Sequence, residues 1–424
     1  MAQTEAGPEV GTKPAAISAL SRSALSPRAA GWARLAPGWA VTAAIREPLS
    51  VFVLTRILFV VLTYFGVILY SSVFQSPHPS FLHQLLPAWD NRWDTWWYVQ
   101  IARHGYEWRR VGAQTLPTAF FPLYPLLIRV GVILTQRSYI AVALAISNLA
   151  FFGALCYLWR LTRWELDGRV AGRTILYIAV FPTALFFFAG YTESLFLFLT
   201  VASFYHLRRQ DWLLAGAFGA VASATRISGV LLLIPFVYEY ARSRNFSWRR
   251  VNSGAFGMVM IPAGLAAFML YLHWAVGDAL AFSHGQAAWQ KISTLRLWEG
   301  FFESLRQILI VQPAASFFEA HNVLNLTLGG LFLAGSFLAA RRLSASYSLY
   351  VAAFWLLTLS QPAVAGAYPV PLVSLSRYVL TLFPVFMYIG LLGRRRAFHD
   401  AYLVLSVGLL SLLTVQFIHG GWVV

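Results

Sequence analysis

The sequence predicts an all-α protein that crosses a membrane about eleven times. Hydrophobic residues make up 58% of the chain and charged residues only 11%, whereas a soluble globular protein carries roughly 25% charged residues. Long apolar runs recur along the chain, separated by short clusters of arginine. Composition and pattern together indicate a polytopic membrane protein.

Clusters of basic residues indicate which side of the membrane each connection occupies. The net charge is +16, and positively charged loops remain on the cytoplasmic side. We therefore assign these clusters to the cytoplasmic face, which explains the charge without nucleic acid as a partner. They are 160–173, 208–209, 242–250, 341–342 and 394–396.

The chain begins with a tail and continues as one membrane domain. Residues 1–45 are rich in Ala, Gly, Ser and Pro and lack apolar periodicity, which predicts a disordered cytoplasmic tail. The membrane domain covers 46–424. Its first span is predicted at 49–72, and a first external loop at 73–118.

The next apolar stretch, 119–135, is short and is interrupted by Pro122 and Pro125. A better span follows at 138–159 and ends in the basic cluster 160–173. If both stretches crossed, that cluster would lie outside, against the positive-inside rule. We therefore interpret 119–135 as a re-entrant or interfacial helix.

The remaining stretches predict helices that leave the cytoplasm and return in pairs. The stretch 213–241 is long enough for one tilted span, but the basic cluster after it favours two short helices that meet near Arg226. A second external loop is expected at 276–321. The other predicted crossings are 174–190, 192–207, 254–275, 322–340, 347–362, 377–393 and 401–419. Since both sizeable loops lie outside, we expect the chemistry on that face.

The first external loop contains an unusual cluster of tryptophan and aspartate. Four tryptophans fall within 89–97, and Asp90 and Asp94 lie four residues apart among them. In a helix this spacing places both carboxylates on one face. Indole rings suit a membrane–water boundary, where the ring is apolar and its N–H stays hydrated. The cluster predicts a helical loop that presents carboxylates to a partly lipid substrate.

Six charged residues are expected near membrane depth on the external side. An ionised group at mid-membrane costs about 2.5–3.5 kcal/mol on insertion scales, so each suggests a function. The alternative is that they pair with one another, or extend to the interface, and only fix helix packing. The six are Asp90, Asp94, Glu193, Arg226, Asp278 and Arg377.

These residue types suit sugar transfer from a lipid phosphate. Asp94 is the candidate general base for an acceptor hydroxyl. Arg226 or Arg377 would stabilise the departing phosphate, because a guanidinium matches its oxygens with two hydrogen bonds, and Arg103 is the next candidate. The remaining candidates for substrate binding are Asp90, Glu193, Asp278, Trp97, Tyr98, His104 and Tyr106. Phe120, Phe121 and Tyr124 are candidates to line a path for the lipid tail.

Other chemistries lack their sequence signals. His104 has no histidine partner at metal-binding spacing, so we expect no zinc site. Nucleotide-binding glycine motifs and the serine-hydrolase elbow are also absent from the sequence. The carboxylates of Asp90 and Asp94 are suitable ligands for a divalent cation, but we expect no metal and no cofactor.

Several motifs, in order, resemble those of the bacterial PIG-V-like mannosyltransferases, which belong to the GT-C glycosyltransferases. They are Trp93-Asp94-x-x-Trp97-Tyr98-x-x-Ile101-Ala102-x-x-Gly105-Tyr106, Ala119-Phe-Phe-Pro-Leu-Tyr-Pro-Leu-Leu127, Phe181-Pro182-Thr183 with Tyr191-Thr192-Glu193-Ser194, Ala224-Thr225-Arg226-x-x-Gly229, Gly277-Asp278-x-Leu280 and Ser376-Arg377-Tyr378. The resemblance covers 50–395. One departure is Ile227, where the family places Pro or Asn after the arginine.

The resemblance implies a GT-C-type fold and an active site on the external face of the cell membrane. It also implies a polyprenyl-phosphate-linked sugar donor, a lipid, glycan or protein acceptor, inversion at the sugar, and Asp94 as the catalytic residue. Eukaryotic members add a mannose to the glycosylphosphatidylinositol precursor.

Two other classes of function remain open. A transporter or lipid flippase also buries charges, but it distributes them along both halves of a path, often with repeat symmetry. Here the charges collect on one side, and the sequence shows no convincing repeat. A structural membrane scaffold would leave the two neighbouring carboxylates unexplained.

Overall fold

A computed structural model describes residues 38–69, 81–106, 116–289, 291–311, 317–364 and 370–423. Most of the predicted tail, and parts of the predicted first external loop, lie outside these residues. The first helix already begins at Gly38, inside the stretch predicted as a tail.

Within the described residues, regular structure is helical apart from one isolated antiparallel bridge, as the predicted all-α class requires. The first helices are α1 (Gly38–Leu69), α2 (Phe81–Trp89), α3 (Asp94–His104), α4 (Leu123–Thr135), α5 (Tyr139–Glu165), α6 (Gly168–Ala179), α7 (Glu193–Arg208), α8 (Trp212–Ser223) and α9 (Leu233–Ser243). The later ones are α10 (Phe256–Val276), α11 (Ala281–His284), α12 (Glu299–Arg306), α13 (Phe317–Ala340), α14 (Ala345–Leu359), α15 (Leu375–Tyr378), α16 (Phe383–Leu392) and α17 (Arg396–Ile418).

The protein is a multi-pass membrane protein. Among the described residues, five helices are long and apolar enough to cross a membrane: α1, α5, α10, α13 and α17. A sixth crossing is added if the pair at Leu375–Thr381 and Phe383–Leu392, bent by 83°, forms one broken span. The prediction of about eleven crossings also counted shorter helices, such as α8 and α14, but not α4, which was interpreted as re-entrant or interfacial.

Two helix breaks lie where the sequence indicates them, one at Pro122 and one around Arg226. Helix α4 begins after Pro122 and has 13 residues, about 20 Å at 1.5 Å per residue, which is short of the roughly 30 Å hydrocarbon core. The predicted division of 213–241 into two short helices is confirmed, because α8 ends at Ser223 and α9 begins at Leu233. Arg226 lies in the break between them.

Small residues bring α8 and α10 close together. A Cβ added to Gly216 of α8 would lie 2.5 Å from the backbone of Gly257 in α10, so a larger residue would force the helices apart. Close backbone approach at glycine is a common way to pack helices in membranes. This contact fixes α8, and with it the position of the break that holds Arg226.

Candidate active site

A cavity of about 350 Å³ opens where several helix ends meet. Asp94 is the first residue of α3, Glu193 is the first residue of α7, and Arg226 lies in the break after α8. Arg377 belongs to the four-residue helix α15, and Lys291 precedes α12. These five residues are the charged groups of the described cavity wall.

The turn before α3 separates the two aspartates of the tryptophan cluster. Helix α2 ends at Trp89 and α3 begins at Asp94, so the prediction that Asp90 and Asp94 share one helix face is wrong. The reason is a left-handed backbone at Asn91 (φ 55°) and Trp93 (φ 46°), a conformation that interrupts an α-helix. Asp90 accepts a hydrogen bond from the backbone N–H of Asn91 and is not part of the cavity wall.

Asp94 is held by two contacts. Nη1 of Arg377 donates to its Oδ2 at 2.5 Å, and the Tyr191 hydroxyl accepts from its backbone N–H at 3.2 Å. Its position at the start of α3 is favourable for a negative charge. The side chain is 24% exposed, and no hydrogen bond to Oδ1 is found among the described residues. One carboxylate oxygen is therefore fixed, while the other has no hydrogen-bond partner among these residues.

Glu193 lies between two arginines. Its Oε1 accepts from Nη1 of Arg226 at 2.8 Å and lies 3.5 Å from Nε of Arg377. The side chain is only 2% exposed, and its Oε2 is buried without a hydrogen-bond partner in the described part of the chain. Because buried polar atoms are normally hydrogen-bonded, this oxygen marks unused bonding capacity beside the cavity.

Tyr378 connects the three cations of the cavity. The guanidinium carbons of Arg226 and Arg377 lie 5.3 Å and 5.4 Å from its ring centroid. The ammonium of Lys291 lies 5.1 Å from the same centroid and donates to the Tyr378 hydroxyl at 3.0 Å. An electron-rich ring attracts such cations, so one aromatic side chain organises all three.

Sequence reasoning missed Lys291, Tyr378 and Tyr191 as site residues. Lys291 had a signal, because it is one of only two lysines among 32 basic residues, the other being Lys13. The two tyrosines occur within the quoted motifs, Tyr378 directly after Arg377 and Tyr191 two positions before Glu193. Their hydroxyl contacts depend on tertiary structure.

Among the predicted aromatic residues, Tyr98 lines the cavity, and its hydroxyl lies 3.3 Å from that of Thr192. Trp97 stacks on Phe120, with centroids 5.5 Å apart, and the Tyr106 hydroxyl donates to the Phe120 carbonyl at 2.8 Å. Phe120 itself lines the cavity. Trp97 and Tyr106 therefore support the wall from behind rather than forming it.

Arg103 and His104 lie at the exposed end of α3. The guanidinium of Arg103 stacks 4.7 Å from the ring centroid of Tyr139. Neither residue belongs to the cavity wall, and the structure therefore does not bring them to Asp94.

Asp278 also lies outside the cavity wall. It accepts from the backbone N–H of Leu280 at 2.9 Å and lies 2.7 Å from Nδ1 of His284. The hydrogen bond with His284, followed by that from Leu280, lowers the pKa of Asp278 below its ordinary value. These contacts close the turn after α10.

Residues 47–276 match the family model described as Mannosyltransferase (PIG-V). The chain belongs to this family. The resemblance predicted from the motifs is thereby confirmed. The matched part of the PIG-V family model contains Asp94, Glu193 and Arg226, while Lys291 and Arg377 lie beyond it.

Curated relatives of this PIG-V family member carry similar names. The chain is 32% identical over 170 residues to GPI alpha-1,6-mannosyltransferase 2 of Cricetulus griseus, covering 37% of this chain and 32% of that protein. It is 32% identical over 136 residues to GPI mannosyltransferase 2 of Yarrowia lipolytica, covering 32% of this chain and 38% of that protein. The chain thus spans about a third of the length of the curated relatives it matches.

Solved structures show weaker similarity. ArnT from Cupriavidus metallidurans, crystallised with undecaprenyl phosphate, gives a TM-score of 0.49 at 13% identity, covering 87% of this chain and 63% of that one. The oligosaccharyltransferase of Archaeoglobus fulgidus in its apo form gives a TM-score of 0.44 at 15% identity, covering 88% of this chain and 56% of that one.

Proposed function

We propose that this protein is a membrane mannosyltransferase that moves mannose from a polyprenyl-phosphate-linked donor to an acceptor hydroxyl, with Asp94 as the general base. The observation that carries this proposal is the environment of Asp94 on the cavity wall. Arg377 fixes Oδ2, and Oδ1 has no hydrogen-bond partner among the described residues. Family membership supports mannose as the sugar.

The proposed reaction is a single displacement at the anomeric carbon of the sugar. The acceptor oxygen forms a bond to that carbon while the bond from carbon to the phosphate oxygen breaks. The electron pair of the broken bond leaves with the phosphate, and the acceptor proton passes to Asp94. Attack opposite the phosphate inverts the configuration. A positioned base of this kind typically raises the rate by a factor of about 10²–10⁴.

The apolar part of the cavity wall suits a prenyl chain. Phe120 and Phe121 line it, as their motif suggested, beside the charged residues. A donor with a lipid tail and a charged head needs both kinds of surface.

We place the active site on the extracytoplasmic face of the cell membrane. Helix α7 begins at Glu193, beside the cavity, and ends at Arg208, within a basic cluster. Because such clusters favour the cytoplasm, the cavity lies at the other end. A cysteine introduced at position 278 should react with an impermeant reagent from outside, and one at position 245 only from the cytoplasm. Inverse labelling would contradict this orientation.

The function is tested by reconstituting the full chain in vesicles with polyprenyl-phosphate-mannose and a panel of lipid, glycan and protein acceptors. Mass spectrometry should detect a mannosylated acceptor and free polyprenyl phosphate in equal amounts. Movement of intact donor between leaflets, with no mannosylated product from any acceptor, would instead indicate a flippase and contradict the proposal.

A further inference from the structure

Within the described part of the cavity wall the charges do not balance, since three cations face two carboxylates. Arg377 is paired with Asp94 at 2.5 Å, and Arg226 with Glu193 at 2.8 Å. Among the described residues, no carboxylate oxygen lies within 4.0 Å of the Lys291 ammonium. The excess positive charge of the cavity therefore lies on Lys291.

Lys291 also has unused hydrogen-bonding capacity. An ammonium carries three N–H donors, and one of them donates to the Tyr378 hydroxyl. The other two have no partner in the described part of the chain. A partly buried ammonium without a counter-charge is unfavourable, so a bound anion would stabilise this arrangement.

The backbone holds Lys291 at a fixed place on the wall. The N–H groups of Ile292 and Thr294 donate to the carbonyls of Pro362 at 3.1 Å and Ser360 at 2.9 Å. Lys291 itself forms an isolated antiparallel bridge with the same segment. Its ammonium is thus presented by a braced strand-like segment, which suits a binding role.

We propose that Lys291 is the phosphate anchor of this enzyme. Its ammonium binds a non-bridging phosphate oxygen of the polyprenyl-phosphate donor and remains on the phosphate after the bond to the sugar breaks. This inference rests on the proposed function. It differs from the hypothesis drawn from the sequence, which assigned the phosphate to Arg226 or Arg377, because both arginines are engaged by carboxylates.

The test compares binding of polyprenyl phosphate with binding of the uncharged polyprenol of the same length, using the full chain in nanodiscs. Lys291→Gln and Lys291→Met should bind polyprenyl phosphate roughly tenfold to a hundredfold more weakly than the parent, the range for a hydrogen bond to a charged group. Lys291→Arg should retain most of the affinity. All three should bind polyprenol as the parent does.

Arg306→Gln is the matched control. Arg306 is an exposed cation on α12, paired with Glu303 at 3.0 Å, and it is not part of the cavity wall. Its neutralisation should leave the affinity for polyprenyl phosphate unchanged. Melting temperatures are recorded for every variant, and either neutral Lys291 variant that melts like the parent serves for the comparison.

Three results would overturn the inference, and they are distinguishable. If the parent prefers polyprenyl phosphate to polyprenol but a folded neutral variant shows the same preference, Lys291 is not the anchor and the proposed function stands. If the parent itself shows no preference for the phosphate, the proposed donor is wrong and the anchor fails with it. A variant that loses polyprenol and phosphate equally would show that Lys291 is structural.

Discussion

The two ends of helix α7 carry two buried ion clusters that are built from the same residue types. At one end, Glu193 joins Arg226 and Arg377 beside the cavity. At the other end, Arg208 lies between Glu165, at 2.6 Å, and Glu239, at 2.5 Å. The arginine and both glutamates of this second cluster are at most 12% exposed.

The clusters differ in whether all their buried polar atoms have hydrogen-bond partners. In the Arg208 cluster, Tyr347 donates to Glu165 at 3.1 Å, and none of the buried polar atoms of Arg208, Glu165 or Glu239 lacks a hydrogen-bond partner. In the cavity cluster, Oε2 of Glu193 and Nε of Arg377 are buried and have no hydrogen-bond partner among the residues that the structure describes. We call the Arg208 cluster closed and the cavity cluster open. A closed cluster fixes the packing of helices, whereas an open one keeps unused hydrogen-bonding capacity beside the cavity.

The strongest predicted loss of activity concerns Asp94, which pairs with Arg377 of the open cluster. Asp94→Asn should lower the rate of mannose transfer by 10²–10⁴, because the amide keeps the size but cannot take a proton. The measurement is the initial rate with polyprenyl-phosphate-mannose and the best acceptor. Asp400→Asn is the control, since Asp400 is 60% exposed in a pair on α17. A folded Asp94→Asn enzyme that transfers at the parental rate would rule out this base.

The next effect concerns the closed cluster. Arg208→Gln should lower the free energy of unfolding by about 3–5 kcal/mol, because it leaves two buried carboxylates without their partner. Denaturation in detergent measures this loss. Arg394→Gln, which breaks an exposed pair with Asp167, should change stability by at most about 1 kcal/mol. Equal stability of the Arg208 variant and the parent would contradict a structural role.

Arg377→Lys should have an intermediate effect on activity. It tests whether Arg377 positions Asp94 or binds the donor phosphate. An ammonium keeps the charge but has no planar fork to reach Asp94 and Glu193 together. We expect kcat to fall roughly tenfold to a hundredfold, with the Kd for polyprenyl phosphate unchanged. A weaker Kd with normal kcat would instead assign the phosphate to Arg377 and refute the division of roles.

The smallest effect concerns Asp278, outside both clusters. Its pKa is lowered from the ordinary 3.8, so its contacts stabilise the folded protein above that pH and the contribution is lost as the pH falls through the lower folded pKa. Asp278→Asn should therefore melt slightly earlier than the parent at pH 7, and the difference should vanish in acid. The effect should be small because the side chain is 44% exposed. A difference that grows in acid would contradict this sign.

The helix breaks show what local sequence determines. The division near Arg226 was predictable, because an arginine inside an apolar stretch and a basic cluster after it leave few arrangements that satisfy the positive-inside rule. Asn91 gave a local signal for the break before α3, since asparagine is enriched at positive φ, but the positive φ at Trp93 was not predictable, since tryptophan has no such preference. That turn depends on distant contacts, among them the indole N–H of Trp93 with the Gly421 carbonyl at 3.3 Å.

The residues of the candidate site were more predictable from the sequence than the ion pairs that they form. Asp94, Glu193, Arg226 and Arg377 stood out because charges are costly inside a membrane. The pair between Asp94 and Arg377 joins residues 283 positions apart, and no local pattern specifies it. Lys291 lay in a predicted loop, where a charge has no insertion cost, so only the rarity of lysine in the chain distinguished it.

Helix α7 sets a fixed distance and a fixed rotation between the two clusters. Glu193 is its first residue and Arg208 its last, sixteen residues in all. One inserted or deleted residue would turn one end by about 100° relative to the other and shift it by about 1.5 Å. Either Glu193 or Arg208 would then point away from its partners. Changes of chain length should accordingly be tolerated in the loops of this protein but not within α7.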